Sequence, residues 1–489
     1  MPLGRARLGL AIALAAACYL LFFHNLTGVG LIGPDEPRYA AIGREMARSG
    51  DWLTPRLGGE PWFEKPPLIY WMAAAGFRVG LGEDLAPRLP VALLSVAFLW
   101  FYWRRLAREF GARAAWFSTA ILATSAVWLS FSHVGVTDLP MAAAFSAAML
   151  LYLPWIERGD RSGLTVAAAL LGVAVLAKGL VPLVLALPVV WAGRARWRDL
   201  LRPVPLVVFL AVAAPWYVLV AARYGSAFLA DLFLKHHFER FATDSLQHVQ
   251  PFWFYLPVFV AGLFPWSPLV VLLFGKAAFR DPRRRFLLVL VVFGLVFFSA
   301  AANKLPGYLL PLFPAACALL GVTLAESRSR VWTLIVAPAL LVLVPVAAEA
   351  LPEALRLGIT HADIGSVNWL AMLPALMAAA LVWVLEGKGR RGWAVAAVVA
   401  VTVAGAVWLE ARAFPAMDRT VSARGLWRQV APRRDQVCVA AVNRGWRYNL
   451  DYYSGTPLAD CATSPRPLRI EQPDQQPPHL AGAAAFSAF

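Results

Sequence analysis

The sequence predicts an all-α polytopic membrane protein of about thirteen transmembrane helices, with amphipathic helices on its outer face and a small α/β or α+β domain at its C-terminal end. Three observations carry this. Hydrophobic residues make up 60% of the 489 and charged residues only 15%, which is outside the range of soluble globular chains. Apolar runs recur thirteen times, near 8–30, 89–103, 114–130, 138–154, 163–177, 179–193, 203–222, 252–274, 286–302, 306–322, 330–348, 366–385 and 392–410. Charge alternates between the connections: counted from the N-terminus as inside, the inner segments hold 22 basic residues against seven acidic, whereas the outer loop 34–88 holds seven basic and eight acidic.

That bias sets the topology. Cytoplasmic connections retain Lys and Arg, so the N-terminus is expected in the cytoplasm, with outer loops and C-terminal region on the far side of the membrane. It also accounts for the net charge of +16: basic residues spread over short loops form no nucleic-acid face. The first run is longer than a signal-peptide core and shows no small-residue cleavage site before Pro34, so it reads as an anchor. Cys18 and Cys317 lie inside apolar runs. Cys438 and Cys461 lie beyond the last run, where an oxidising compartment would let them pair.

The first outer loop is the chain's densest stretch of chemistry. Asp35 and Glu36 open it, and Pro37 suits the first turn of a helix on which Tyr39, Ile42 and Met46 form one face and Arg38, Arg44, Glu45 and Arg48 the other. Such a helix is expected to lie on the membrane surface and to end at Ser49-Gly50-Asp51. A Gly58-Gly59 turn follows, then Glu64 and Lys65, then a second interfacial helix from Pro66 or Pro67 through Phe77. A plain solvated connector has little reason to keep Asp35, Glu36, Glu64 and Lys65 beside a bilayer.

Further outer segments add to this set. Asp138 ends the Ser132–Thr137 turn, where a helix N-cap would also explain it. Lys178 lies between two short runs and can snorkel to the interface; one long helix kinked at Gly179 and Pro182 is the other reading of those runs. The segment 223–250 holds His236, His237 and Arg240, and a turn at 303–308 carries Lys304 and Tyr308. The chain divides at 410/411 into a membrane domain and a small outer domain, with a disordered tail expected after Ser464.

Collected on one side, these carboxylates, cations and imidazoles suit chemistry on a phosphate-bearing lipid. Cations neutralise a leaving phosphate, and a carboxylate takes a proton from an attacking hydroxyl. The run DEPRYAAIGREMARSGDWLTPRLGGEPWFEKPPLIYW resembles the first outer loop of bacterial aminoarabinose-to-lipid A transferases and of their protein O-mannosyltransferase-like GT-C relatives. The resemblance continues through Val136-Thr137-Asp138, AKGLV at 177–181, KHHFERF and KLPGYLLPLFP at 304–314.

It implies an inner-membrane glycosyltransferase of bacteria, working on the periplasmic face. The donor would be a sugar on a polyprenyl phosphate such as undecaprenyl phosphate, and the acceptor lipid A or a related lipid, with inversion at the sugar. Asp35 aligns with the catalytic acidic residue and Asp138 with a second functional carboxylate, while Glu36 stands beside Asp35. Lys65, Arg240 and Tyr308, with Lys304 and Lys178 near them, match positions that hold the carrier phosphate. Glu64 with His236 or His237 would form a site for a divalent metal such as zinc, and interfacial histidines without metal are the alternative. Two other functions stay open: a mannosyltransferase-type enzyme acting on protein Ser or Thr, and a lipid-linked sugar transporter or flippase. Transport predicts inverted repeats and mid-membrane charges, which the sequence does not display.

Overall fold

The computed structural model describes residues 2–225, 228, 250–274, 277–474 and 476–481. Apolar runs become helices because a chain in hydrocarbon must satisfy its own backbone polar groups. Six of these helices are long and apolar enough to cross a membrane: Leu85–Phe110, Asp138–Arg158, Pro203–Tyr224, Pro306–Glu326, Trp369–Gly387 and Arg391–Thr420. Counting each bent pair as one span gives up to nine among the described residues, against thirteen apolar runs in the sequence. Run length alone does not make a straight span. The stretch expected at 252–274 turns by 113° between Phe252–Gly262 and Ser267–Phe274, and Ala112–Ala123 meets Ala126–Ser132 at 63°. The pair around Gly179 is neither two ordinary spans nor one kinked helix: Leu164–Lys178 stops at Gly179, whose φ is 71°, and only short helices follow.

The segment Asp138–Arg158 is enclosed by its neighbours, and its Phe145 shares one core with Phe98, Trp128, Phe259 and Phe313. Against this bundle lies the Asp35–Ser49 helix. Its apolar residues Tyr39, Ile42 and Met46 are buried as the spacing predicts, and the Tyr39 ring meets Tyr70 of the Leu68–Arg78 helix edge-on at 5.6 Å. Gly50, at φ 73°, closes the helix, and Gly58 and Gly59, both at positive φ, turn the hairpin Arg56–Leu57/Glu60–Pro61.

The other face of the Asp35–Ser49 helix departs from the expectation of a solvated surface, because Arg38 and Arg44 are buried. The cover comes from the end of the chain. Val437–Val439 pairs in parallel with Ala459–Asp460 and with Leu468–Glu471, which pairs antiparallel with His479–Ala481, and Arg444–Ser454 packs against the membrane portion. The stretch after Ser464, expected to be disordered, therefore supplies two of the four strands. Cys438 and Cys461 form a disulfide within this sheet. Leu31 and Ala40 share a hydrophobic cluster with Val437, Leu450 and Ile470, so the small domain and the outer loop bury a common core. The Arg391–Thr420 helix runs continuously across residue 410 into this region.

Candidate active site

Where the outer loop, Val134–Met141, the Lys178 terminus and the 303–308 turn converge, they enclose a cavity of about 440 Å³. Its polar lining includes Asp35, Tyr39, Lys65, Asp138, Lys178, Asn303 and Tyr308. Phe131, Val136, Met141, Val181, Phe297 and Phe298 line the rest. Charge thus gathers beside apolar walls, the combination an amphiphile with an anionic head would fill.

Asp35 begins its helix with its side chain 46% exposed. One of its oxygens accepts from Arg38 Nη2 at 2.5 Å. Arg38 also reaches Glu64, 3.1 Å away, and Lys65 Nζ lies 3.4 Å from Glu64. The four residues form a relay from Asp35 through Arg38 and Glu64 to Lys65. Burial works against the Arg38 charge, yet Glu64 and Asp35 more than offset it, so its pKa lies above the ordinary guanidinium value. Burial also pushes the Tyr39 and Tyr70 hydroxyls upward, leaving Tyr39 a neutral hydrogen-bonding group at the cavity.

A second pair faces the same space. Lys178 Nζ donates to Asp138 Oδ1 at 2.6 Å and stands 5.0 Å over the Tyr308 ring. Lys178 therefore turns inward instead of snorkelling. Asp138 is the first residue of its helix, Thr137 holds the cap position, and no side-chain cap bond forms. Gly307 permits this packing, since a Cβ there would come within 2.8 Å of Asp138 Oδ1 and 2.7 Å of the Phe131 ring.

Three expected site residues, Glu36, Lys304 and Glu64, do not line the cavity. Glu36 is 0% exposed, and both its oxygens are occupied: Arg88 donates to them at 2.7 and 2.8 Å, and the amides of Gly135 and Ile32 at 2.9 Å each. Lys304 is buried and gives its ammonium to the carbonyls of Ala301 and Gln250. His236, His237 and Arg240, expected at the metal and the carrier phosphate, lie outside the described residues. Among the described residues no three His, Cys, Asp or Glu side chains group as a metal site, and Glu64 lies between two cations. Sequence reading missed Arg38, which it assigned only to the polar face of the helix. Its position three residues after Asp35 was the available signal, because i and i+3 share a helix face.

The family model for dolichyl-phosphate-mannose-protein mannosyltransferase matches residues 64–219. An undecaprenyl phosphate-α-4-amino-4-deoxy-L-arabinose arabinosyl transferase of Serratia proteamaculans is 34% identical over 348 residues, 66% of this chain and 61% of that protein. One from Pectobacterium atrosepticum is 35% identical over 60% of this chain and 55% of its own length. The chain thus spans about three-fifths of the curated relatives it matches. The crystal structure of ArnT from Cupriavidus metallidurans bound to undecaprenyl phosphate superposes with a TM-score of 0.76 at 26% identity, covering 96% of this chain and 87% of that one. An Archaeoglobus fulgidus oligosaccharyltransferase, 13% identical with a TM-score of 0.50, shares the fold. The resemblance to aminoarabinose transferases and their mannosyltransferase-like relatives is borne out, as is the all-α membrane fold with its small C-terminal domain.

Proposed function

We propose that this chain is a polyprenyl-phosphate-dependent glycosyltransferase that moves a sugar, by inverting displacement, to lipid A or a related envelope lipid on the periplasmic face of the inner membrane. The observation that carries this reading is the cavity in which Asp35, Lys65 and the Asp138–Lys178 pair meet a largely apolar wall. Lys65, Lys178 and Tyr308, joined by Arg240, would hold the carrier phosphate and stabilise the charge that builds on it as the glycosidic bond breaks. Asp138 fixes the Lys178 ammonium, so its part is positional. Asp35, exposed on one side and held by Arg38 on the other, would orient the acceptor or take its proton. A phosphate acceptor, already ionised, needs orientation alone. Glu36 would act through the backbone, locking the start of the Asp35 helix to Arg88 and to the 135 turn.

In this reading 1–410 supplies the transfer chemistry and 411–489 the outer domain. A divalent ion on Glu64 with His236 or His237 would add fixed positive charge near Lys65. The described donors offer only one carboxylate, already between two cations, and no step above requires the ion.

The mannosyltransferase family match favours a second reading, transfer to protein Ser or Thr, in which Asp35 must serve as a base. The deciding experiment uses full-length protein in lipid, a radiolabelled polyprenyl-phosphate sugar pool and a membrane extract, with wild type beside Asp35→Asn. Label moving to lipid, and lost in the variant, supports the first reading; label on protein supports the second. No transfer from any donor overturns both and reopens transport.

A further inference from the structure

Arg38 bonds to both Asp35 and Glu64, and its guanidinium lies against a ring from the C-terminal domain. Its Nη2 serves both carboxylates, while Nε is buried without a hydrogen-bond partner. Three rings surround the head instead: Tyr39 at 5.4 Å, Trp62 at 5.7 Å and Tyr448 at 5.4 Å from the guanidinium carbon. Aromatic faces are electron-rich and attract such a cation most strongly where water is excluded.

Tyr39 and Trp62 belong to the same loop as Asp35, but Tyr448 arrives on the Arg444–Ser454 helix near the other end of the chain. The docking of that helix does not depend on Arg38. Asn449 Nδ2 donates to the Leu31 carbonyl at 2.7 Å, and the Leu31 amide donates to the Tyr453 hydroxyl at 2.8 Å. Arg44 stacks on Tyr452 at 4.5 Å, and a Cβ on Gly445 would stand 3.8 Å from Pro34 N, next to Asp35. The Tyr448 hydroxyl accepts from Arg444 Nε at 3.1 Å, so what Tyr448 offers Arg38 is its ring, which the Arg444 guanidinium also approaches at 5.3 Å.

We propose that Tyr448 is a positioning residue whose ring closes an aromatic cage on Arg38, so that the C-terminal domain completes the geometry of the Asp35 site. The catalytic consequence rests on the transferase reading above. In full-length protein in lipid, Tyr448→Leu lowers kcat roughly three- to thirty-fold, the range a desolvated cation–ring contact implies. Donor KM changes less than kcat, because Lys178 and Tyr308 keep their own contacts and Lys65 is joined to Arg38 through Glu64. Tyr448→Phe restores most of the loss, and mono-, di- and trifluorinated phenylalanine at 448 lower kcat stepwise, since fluorine withdraws ring electron density at nearly constant shape. A flat fluorine series overturns the proposal, and it remains decisive if the leucine variant fails to fold.

The second readout needs no transfer. Carbodiimide labelling of Asp35, followed by peptide mass spectrometry, should quicken along the same series as Arg38 loosens its hold. Labelling that follows the series in a protein that transfers nothing would leave the cage standing and remove the transferase reading. Labelling that is constant across the series would remove the cage.

Discussion

The Leu85–Phe110 helix carries buried charge at both ends, and the two ends use it differently. Near its last turn, Glu109 is enclosed by Arg105 at 3.3 Å, Arg283 at 3.5 Å and Arg158 at 3.6 Å, and Arg283 goes on to Asp281 and Glu157. Every carboxylate in that cluster faces cations that other carboxylates also hold. Near the first turn, Arg88 and Glu36 form an equally closed clamp, but the neighbouring Asp35 and Asp138–Lys178 open onto a 440 Å³ cavity. Burying ion pairs adds little net stability, while removing one partner is costly. What separates a site from a staple here is therefore the carboxylate's own access to the cavity: the Asp35 side chain is 46% exposed, those of Glu36 and Glu109 0% and 2%.

Five substitutions, one of them in a double variant, would break or sharpen that contrast. Asp35→Asn should lower transfer by about two to four decades, the span of acid–base contributions, with unchanged thermal unfolding. If stability fell along with activity, Asp35 would belong with the staples. Arg88→Ala should do the reverse, leaving Glu36 buried and unpaired and costing about 3–5 kcal/mol of stability. Denaturant or thermal unfolding in lipid measures this, and an unfolding midpoint equal to wild type would place Glu36 on the functional side instead.

Lys178→Ala should cost about two to three decades in rate, as for other preorganised charges. If Asp138 works by holding Lys178, the double variant with Asp138→Asn loses no more than Lys178→Ala alone, whereas additive losses would give Asp138 a separate role. The smallest effect is expected at the other end of the helix. Glu109→Gln should destabilise by about 1–3 kcal/mol and leave the transfer rate of the folded protein within about twofold of wild type. A tenfold loss in rate there would join the two clusters.

Much of this contrast was legible in residues, though unevenly. Periodicity placed Tyr39, Ile42 and Met46 on one buried face, and glycines marked the turns at 50 and 58–59, because both depend on local backbone geometry. Asp35, Lys65, Asp138, Lys178 and Tyr308 were also singled out and do share one cavity. The same reasoning put Arg38 and Arg44 on the polar face of a surface helix, where the structure buries them. Their cover, Tyr448 and Tyr452, lies some four hundred residues away in the sequence. Glu36 was grouped with Asp35 as its neighbour, yet adjacent helical residues point to different faces, so one opens to the cavity and the other is sealed.

The sequence by itself determined that this is a membrane chain whose apolar runs alternate with charged loops, and it left Cys438 and Cys461 as the cysteines free to meet. Hydrophobic length and basic bias act segment by segment, and the two cysteines alone lay outside the apolar runs. Only the tertiary structure decided which apolar runs bend, which carboxylate meets a cavity and which cation is spent on backbone carbonyls. Coulomb and hydrogen-bond energies depend on separations of a few ångströms, and those separations are set by packing between segments far apart in the chain.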